Sequence, residues 1–184
     1  MEDYMEIVII NGQNHHGSTR LTALTLAKKV GGNITEFFLP RDFASPCTGC
    51  GTCFNKDLSA CPHYEKICRI TEAMDNADLI ILASPVYVFH ATGPMLSFLD
   101  HYGTRFLVHR PNPKMFKKQA VCIATAAGGG IKSTLKDMYD SLFFWGIPKI
   151  YRLGIAVFAM KPSQLSEKTK AKIEKKTTNI AKKI

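Results

Sequence analysis

The chain has 184 residues, 46% of them apolar and 21% charged, a balance that suits one ordinary globular domain and excludes a disordered segment. It contains no apolar run of the ~18 residues needed for a transmembrane helix. The net charge is +9, but seven lysines fall in the last 17 residues, so the excess reads as the solvated face of a terminal helix rather than a nucleic-acid surface.

The N-terminus, MEDYMEIVIING, has early acids and no basic region, so it does not read as a signal peptide. The expectation is a cytoplasmic protein, with neither a membrane nor a nucleic acid as partner. Met5 to Ile10 is nearly all apolar, as in a strand buried on both faces. Residues 18–30 then carry Leu21, Leu24, Ala27 and Val30 at helical spacing, with Ser18 as the expected cap. A second strand follows over Ile34 to Leu39.

After it comes an irregular, cysteine-rich insertion at about residues 44–68, and loops of that length in compact domains are usually functional. A helix is expected over 64–76, a third strand over Asp78 to Ser84 and a helix over 92–103. A fourth strand spans Gln119 to Thr125, a helix 132–145, a fifth strand Ile150 to Phe158 and a closing helix 163–184. Five alternations of strand and helix predict a single doubly wound α/β domain, a parallel sheet with helices on both faces.

In such a sheet, ligands bind beyond the carboxyl ends of the strands. The first strand ends in Asn11-Gly12-Gln13-Asn14-His15-His16-Gly17-Ser18-Thr19, a polar turn entering a helix N-terminus, where free N–H groups and hydroxyls suit a phosphate. An ordinary capped turn is the plain alternative, since the spacing fits neither the Walker nor the dinucleotide pattern. Beyond the third strand, Pro85-Val86-Tyr87-Val88-Phe89 could wall a flat ring, or simply pack. Beyond the fourth, Thr125-Ala126-Ala127-Gly128-Gly129 leaves backbone open to a planar ligand. A phosphate seat, a ring wall and a backbone edge together point to a mononucleotide with a large planar ring, flavin mononucleotide (FMN).

The same segments, NGQNHHGST, C-x2-C-x2-C, ADLIILASPVY and TAAGG, resemble the flavodoxin-like NAD(P)H-dependent FMN reductase family, and within it the cysteine-bearing branch related to the iron–sulfur flavoproteins. The resemblance implies a five-stranded sheet of order 2-1-3-4-5 and a homodimer or homotetramer. It implies that Gly17, Ser18 and Thr19 hold the FMN phosphate, that Pro85, Val86, Tyr87 and Phe89 follow the ribityl chain and isoalloxazine, and that Thr125 to Gly129 meet the ring's polar edge. The arginine often found near the phosphate is missing, and His15 and His16 occupy that stretch instead. The implied activity is electron transfer from NAD(P)H through FMN to a small-molecule or protein acceptor. It calls for stacking and orientation rather than a catalytic acid–base pair.

Cys47, Cys50, Cys53 and Cys61 are spaced C-x2-C-x2-C-x7-C, the type of pattern that ligates a [4Fe–4S] cluster. Structural or reversibly oxidised thiols and a zinc site are the alternatives, and Cys68 is an alternative fourth position. A cluster-bearing chain could be a non-enzymatic electron carrier. Cys122, within the fourth strand, reads as a buried small hydrophobe. Residues 101–118 form a basic, proline-broken connection that could reach over a flavin or a partner subunit, and Trp145 reads as core or interface.

Overall fold

The computed structural model describes residues 4–159 and 161–184. The residues that bear on a leader at the extreme N-terminus, 1–3, lie outside the described ones. Five strands, β1 (Glu6–Asn11), β2 (Asn33–Phe38), β3 (Leu79–Pro85), β4 (Gln119–Ala126) and β5 (Lys149–Ala156), form one sheet in the order β2-β1-β3-β4-β5. Every pairing is parallel, and Asn11 pairs with Ala83 and Pro85 with Thr125, so the carboxyl ends line up along one edge. This is the flavodoxin-like doubly wound fold.

The apolar strands divide their side chains between two cores by the alternation that any strand imposes. Val8 and Ile10 face one core with Ile80, Leu82 and Cys122, beneath α3 (Tyr64–Asn76), α4 (Gly93–Asp100) and α5 (Ile131–Phe144). Ile7 and Ile9 face the other with Ile81 and Ile123, beneath α1 (Ser18–Val30) and α6 (Glu167–Ala181). A single helical turn, α2 (Thr52–Asn55), lies in the cysteine segment. Cys122 is fully buried, and burial pushes its thiol pKa well above the ordinary value.

Helix α1 buries a different face from the one its leucines suggest. Thr22, Ala23, Leu26 and Ala27 are inward, while Leu21 and Val30 pack at the margin of the core. Small residues at Ala23 and Ala27 allow close approach to the sheet, and Thr22 spends its hydroxyl on the Ser18 carbonyl at 2.9 Å. Gly17, not Ser18, is the N-cap, and Ser18 is the first helical residue. In α6, Ile173 and Thr177 are buried while Lys168, Lys170, Lys172 and Lys175 are exposed, as are Lys182 and Lys183 just beyond its end, the expected solvated face.

The connection over 101–118 lies against α3 and the cysteine segment. Arg105 makes a bidentate ion pair with Asp75 at 2.6 and 2.9 Å, Lys118 donates to the Asp75 carbonyl at 3.0 Å, and Arg110 donates to the Cys53 carbonyl at 3.1 Å. Trp145 is core, fully buried with its ring 5.2 Å from that of Tyr102. Gly12 joins the two halves of the sheet edge. A Cβ there would stand 2.8 Å from Thr92 Oγ1 and 3.2 Å from Met95 Cβ, so a larger residue would have to displace the Thr92 side chain where β1 ends against the start of α4.

Candidate functional site

A cleft of about 420 Å³ opens at the carboxyl ends of β1, β3, β4 and β5, within the size range of small-molecule sites. Of the residues singled out in the sequence, Gln13, Ser18, Thr19, Pro85, Val86, Tyr87, Thr125, Ala126 and Ala127 line it together. His15 lines it too, whereas His16 turns away and packs its ring 5.2 Å from Phe38.

The head of the cleft is the first turn of α1. Its leading N–H groups have no intrahelical acceptor, and the helix dipole is positive there. Ser18 is buried, and its hydroxyl has no hydrogen-bond partner in the protein. A buried hydroxyl costs free energy unless something bonds to it, and this one stands at the lining of the cleft. Thr19 is also buried, and its Oγ1 lies 2.7 Å from Thr125 Oγ1, which ties the first loop to the end of β4. No acidic residue sits in this turn to repel an anion. The nearby cation is already committed: Arg20 donates to Glu36 at 2.7 and 2.9 Å. A phosphate would therefore be held by amides and hydroxyls, without a guanidinium. Asn11 has a structural contact instead, donating to the Phe37 carbonyl at 3.2 Å and to Glu36 at 3.3 Å.

One wall of the cleft is Pro85, Val86 and Tyr87. Val86 N–H donates to the Thr125 carbonyl at 2.9 Å, so the chain stays registered against β4 after β3 has ended. Tyr87 and His90 then exchange backbone hydrogen bonds of 2.9 and 3.1 Å around a two-residue turn in which Val88 has φ 49° and Phe89 φ 67°. Positive φ at both central positions is type I′ geometry, normally built from Asn and Gly, and a β-branched residue there is strained. Val88 and Phe89 are 85% and 70% exposed and do not line the cleft, although Tyr87 does.

Gly128 and Gly129 lie outside the lining as well. A Cβ on Gly129 would come within 2.7 Å of the Phe89 ring, and Gly130, at φ +85°, leaves room for Val86 and the Phe89 backbone. The glycines thus accommodate the strained turn beside them. The wall that sequence reasoning missed is Val157, Phe158 and Ala159, just past β5. Its signal was available, because β5 ends at the same sheet edge as the other three strands.

The thiols form a separate site. Cys47, Cys50, Cys53 and Cys61 line one concavity of about 140 Å³ with His63, Asp100 and His101, and it shares no lining residue with the cleft. All four are free thiols, and Cys68 is outside the lining, with its Sγ bonded to the Glu65 carbonyl at 3.3 Å. Burial pushes the Cys53 thiol up, and the neighbouring sulfurs of Cys61, Cys47 and Cys50 add to it. Cys50 is pulled down by hydrogen bonds, chiefly from the Thr52 hydroxyl at 3.3 Å. His101 is buried and its pKa is lowered mainly by desolvation.

Residues 5–157 match the family of NADPH-dependent FMN reductases. The chain is 32% identical over 140 residues to an iron-sulfur flavoprotein of Archaeoglobus fulgidus, covering 71% of this chain and 61% of that protein. It is 28% identical over 127 residues to an iron-sulfur flavoprotein of Methanosarcina thermophila, covering 68% and 64%. The matches therefore span less than two thirds of either relative. Among solved structures, a flavone reductase superimposes with a TM-score of 0.68 at 17% identity, covering 97% of this chain and 62% of that one. An NAD(P)H:quinone oxidoreductase from Methanothermobacter marburgensis gives 0.70 at 12%, covering 96% and 99%.

Proposed function

The chain belongs to the NADPH-dependent FMN reductase family, and on that premise we propose that it is an FMN-binding oxidoreductase that takes electrons from NAD(P)H and passes them to a small-molecule or protein acceptor. The observation that carries this reading is the buried, partnerless Ser18 hydroxyl at the start of α1, at the head of an apolar-walled cleft. Bound FMN supplies hydride and electron transfer there.

The chain's own residues bind and orient. Ser18, Thr19 and the first amides of α1 hold the phosphate. Pro85, Val86 and Tyr87 on one side, and Val157 and Phe158 on the other, exclude water from the ring. The backbone of Thr125, Ala126 and Ala127 offers hydrogen bonds along the inner edge. Exposed apolar side chains suit assembly into a homodimer or homotetramer: Val88, Phe89 and Phe158 near the cleft, and Phe116, Phe143 and Phe144 elsewhere. No helix among the described residues is long and apolar enough to cross a membrane, in keeping with a cytoplasmic site of action.

The test is FMN titration of flavin-free protein, followed by anaerobic mixing with NADH or NADPH while flavin absorbance is recorded. Saturable uptake of one FMN per chain and bleaching by a nicotinamide are expected. Failure to take up FMN would overturn the proposal.

A second reading, an electron carrier with a [4Fe–4S] cluster, draws on the convergence of four free thiols on one concavity. Thiolate is the donor such clusters take, and Cys47, Cys50, Cys53 and Cys61 would hold it. Anaerobic purification with iron and acid-labile sulfide analysis decides it, and iron near zero rejects it.

A further inference from the structure

The concavity of the cysteines contains two histidines that a four-thiolate cluster does not use. Cys61 Sγ, a ring nitrogen of His63 and a ring nitrogen of His101 all lie within 4.8 Å of one another. Cys61 Sγ and His101 Nδ1 are 3.7 Å apart. Tetrahedral bonds of about 2.0–2.3 Å to nitrogen and sulfur put neighbouring ligand atoms about 3.3–3.8 Å apart, so that pair already stands at ligating separation.

The orientation of His101 is set from outside the cluster. Its Nε2 lies 2.9 Å from the Ser45 carbonyl, which can only accept, so Nε2 carries the hydrogen. In the neutral ring Nδ1 then holds a lone pair aimed at Cys61. A backbone carbonyl fixing one imidazole nitrogen while the other faces a cation is the usual support of a metal-bound histidine. The ring is held further by Phe43, edge-on at 5.0 Å. Cys61 and His63 immediately precede α3, and His101 ends α4, so the three donors stand on elements anchored in the core. The His63 and His101 ring centroids are 5.4 Å apart, and His63 is only half-buried.

We infer that Cys61, His63 and His101, completed by Cys53, form a mononuclear site for a divalent cation of the zinc type. Two thiolates and two neutral imidazoles balance a 2+ charge, and the Cys53 and Cys61 thiol protons pass to solvent on binding. Cys53 is the fourth donor because it is half-buried in the same concavity, whereas Cys47 and Cys50 are exposed. The site would clip the cysteine segment to the ends of α3 and α4. Because Cys53 and Cys61 belong to both donor sets, the ion and a four-cysteine cluster exclude each other.

The experiment is a Co²⁺ titration of the full chain, chelator-stripped and reduced under anaerobic conditions, read by sulfur-to-cobalt charge transfer and tetrahedral d–d absorption. One Co²⁺ per chain, displaced by Zn²⁺, is expected. Cys61→Ser and Cys53→Ser should each diminish the charge-transfer band. His63→Ala and His101→Ala should each weaken binding by at least about tenfold and alter the d–d bands. Cys68→Ser should change nothing. Circular dichroism checks each variant's fold, and the half-buried His63 keeps the test decisive if loss of His101 unfolds the chain. Wild-type affinity in His63→Ala overturns the site, as does an absence of tetrahedral cobalt bands in the wild type. FMN uptake, read on the same samples, is independent of either outcome.

Discussion

The hydroxyls of Thr19 and Thr125 meet at 2.7 Å across 106 residues of chain, joining the first turn of α1 to the last residues of β4. Both side chains are buried at the floor of the cleft. Replacing one leaves the other's hydroxyl buried and unpaired, so Thr125→Val should destabilise the flavin-free protein by about 1–3 kcal/mol. The double variant Thr19→Val/Thr125→Val should cost less than the sum of the two, a coupling measured by urea unfolding of all four proteins. Strict additivity would mean that the contact contributes nothing.

Ser18→Ala separates ligand binding from stability. Its hydroxyl bonds to nothing in the protein, so removing it should leave the flavin-free unfolding midpoint unchanged or slightly raised. FMN affinity should fall about tenfold, the loss expected for one hydrogen bond to a charged group. Riboflavin, which lacks the phosphate, should bind both proteins equally in a fluorescence titration. An equal loss for riboflavin would move the hydroxyl's partner elsewhere on the ligand.

The Tyr87–His90 turn should be improvable. Val88 adopts φ 49° and is 85% exposed, so little packing offsets the strain. Val88→Asn supplies a residue that tolerates this region, and should raise stability by about 1 kcal/mol, visible as a higher thermal midpoint. A lower midpoint would show that the valine is held by contacts stronger than its strain.

The Arg105–Asp75 pair should behave as a buried one, since the arginine side chain is only 7% exposed. Asp75→Ala strands the guanidinium and should cost roughly 3 kcal/mol in denaturant unfolding. Arg105→Met together with Asp75→Leu should recover part of that loss. A neutral Asp75→Ala would show that water already reaches the arginine.

Much of the architecture is legible in the sequence for a simple reason. The run Met5 to Ile10 has no polar alternation because β1 feeds a core on each face, and DLIILAS repeats the pattern in β3. Sheet order came with the family resemblance, since alternation alone does not choose it. The turn before α1 and the Pro85–Tyr87 stretch are local in sequence and their place on the cleft is legible there, whereas Val157 to Ala159 carry no distinctive composition and are marked only by following β5 to the same sheet edge. The Val88–Phe89 turn was hidden because neither residue is one that type I′ geometry favours. His63 and His101 were hidden for a different reason. They are far apart in the chain, and only the packing of α4 beside α3 brings them to the same sulfur.

Cys122 is sealed between β3 and β5 while the other five cysteines are exposed or half-buried. Its sulfur can meet an alkylating reagent only when the core between the sheet and its covering helices opens, because a buried, protonated thiol is not a nucleophile. The protein therefore carries an internal clock for its own opening. Under native conditions, the labelling rate of this one sulfur reports how often that core opens, with no residue changed.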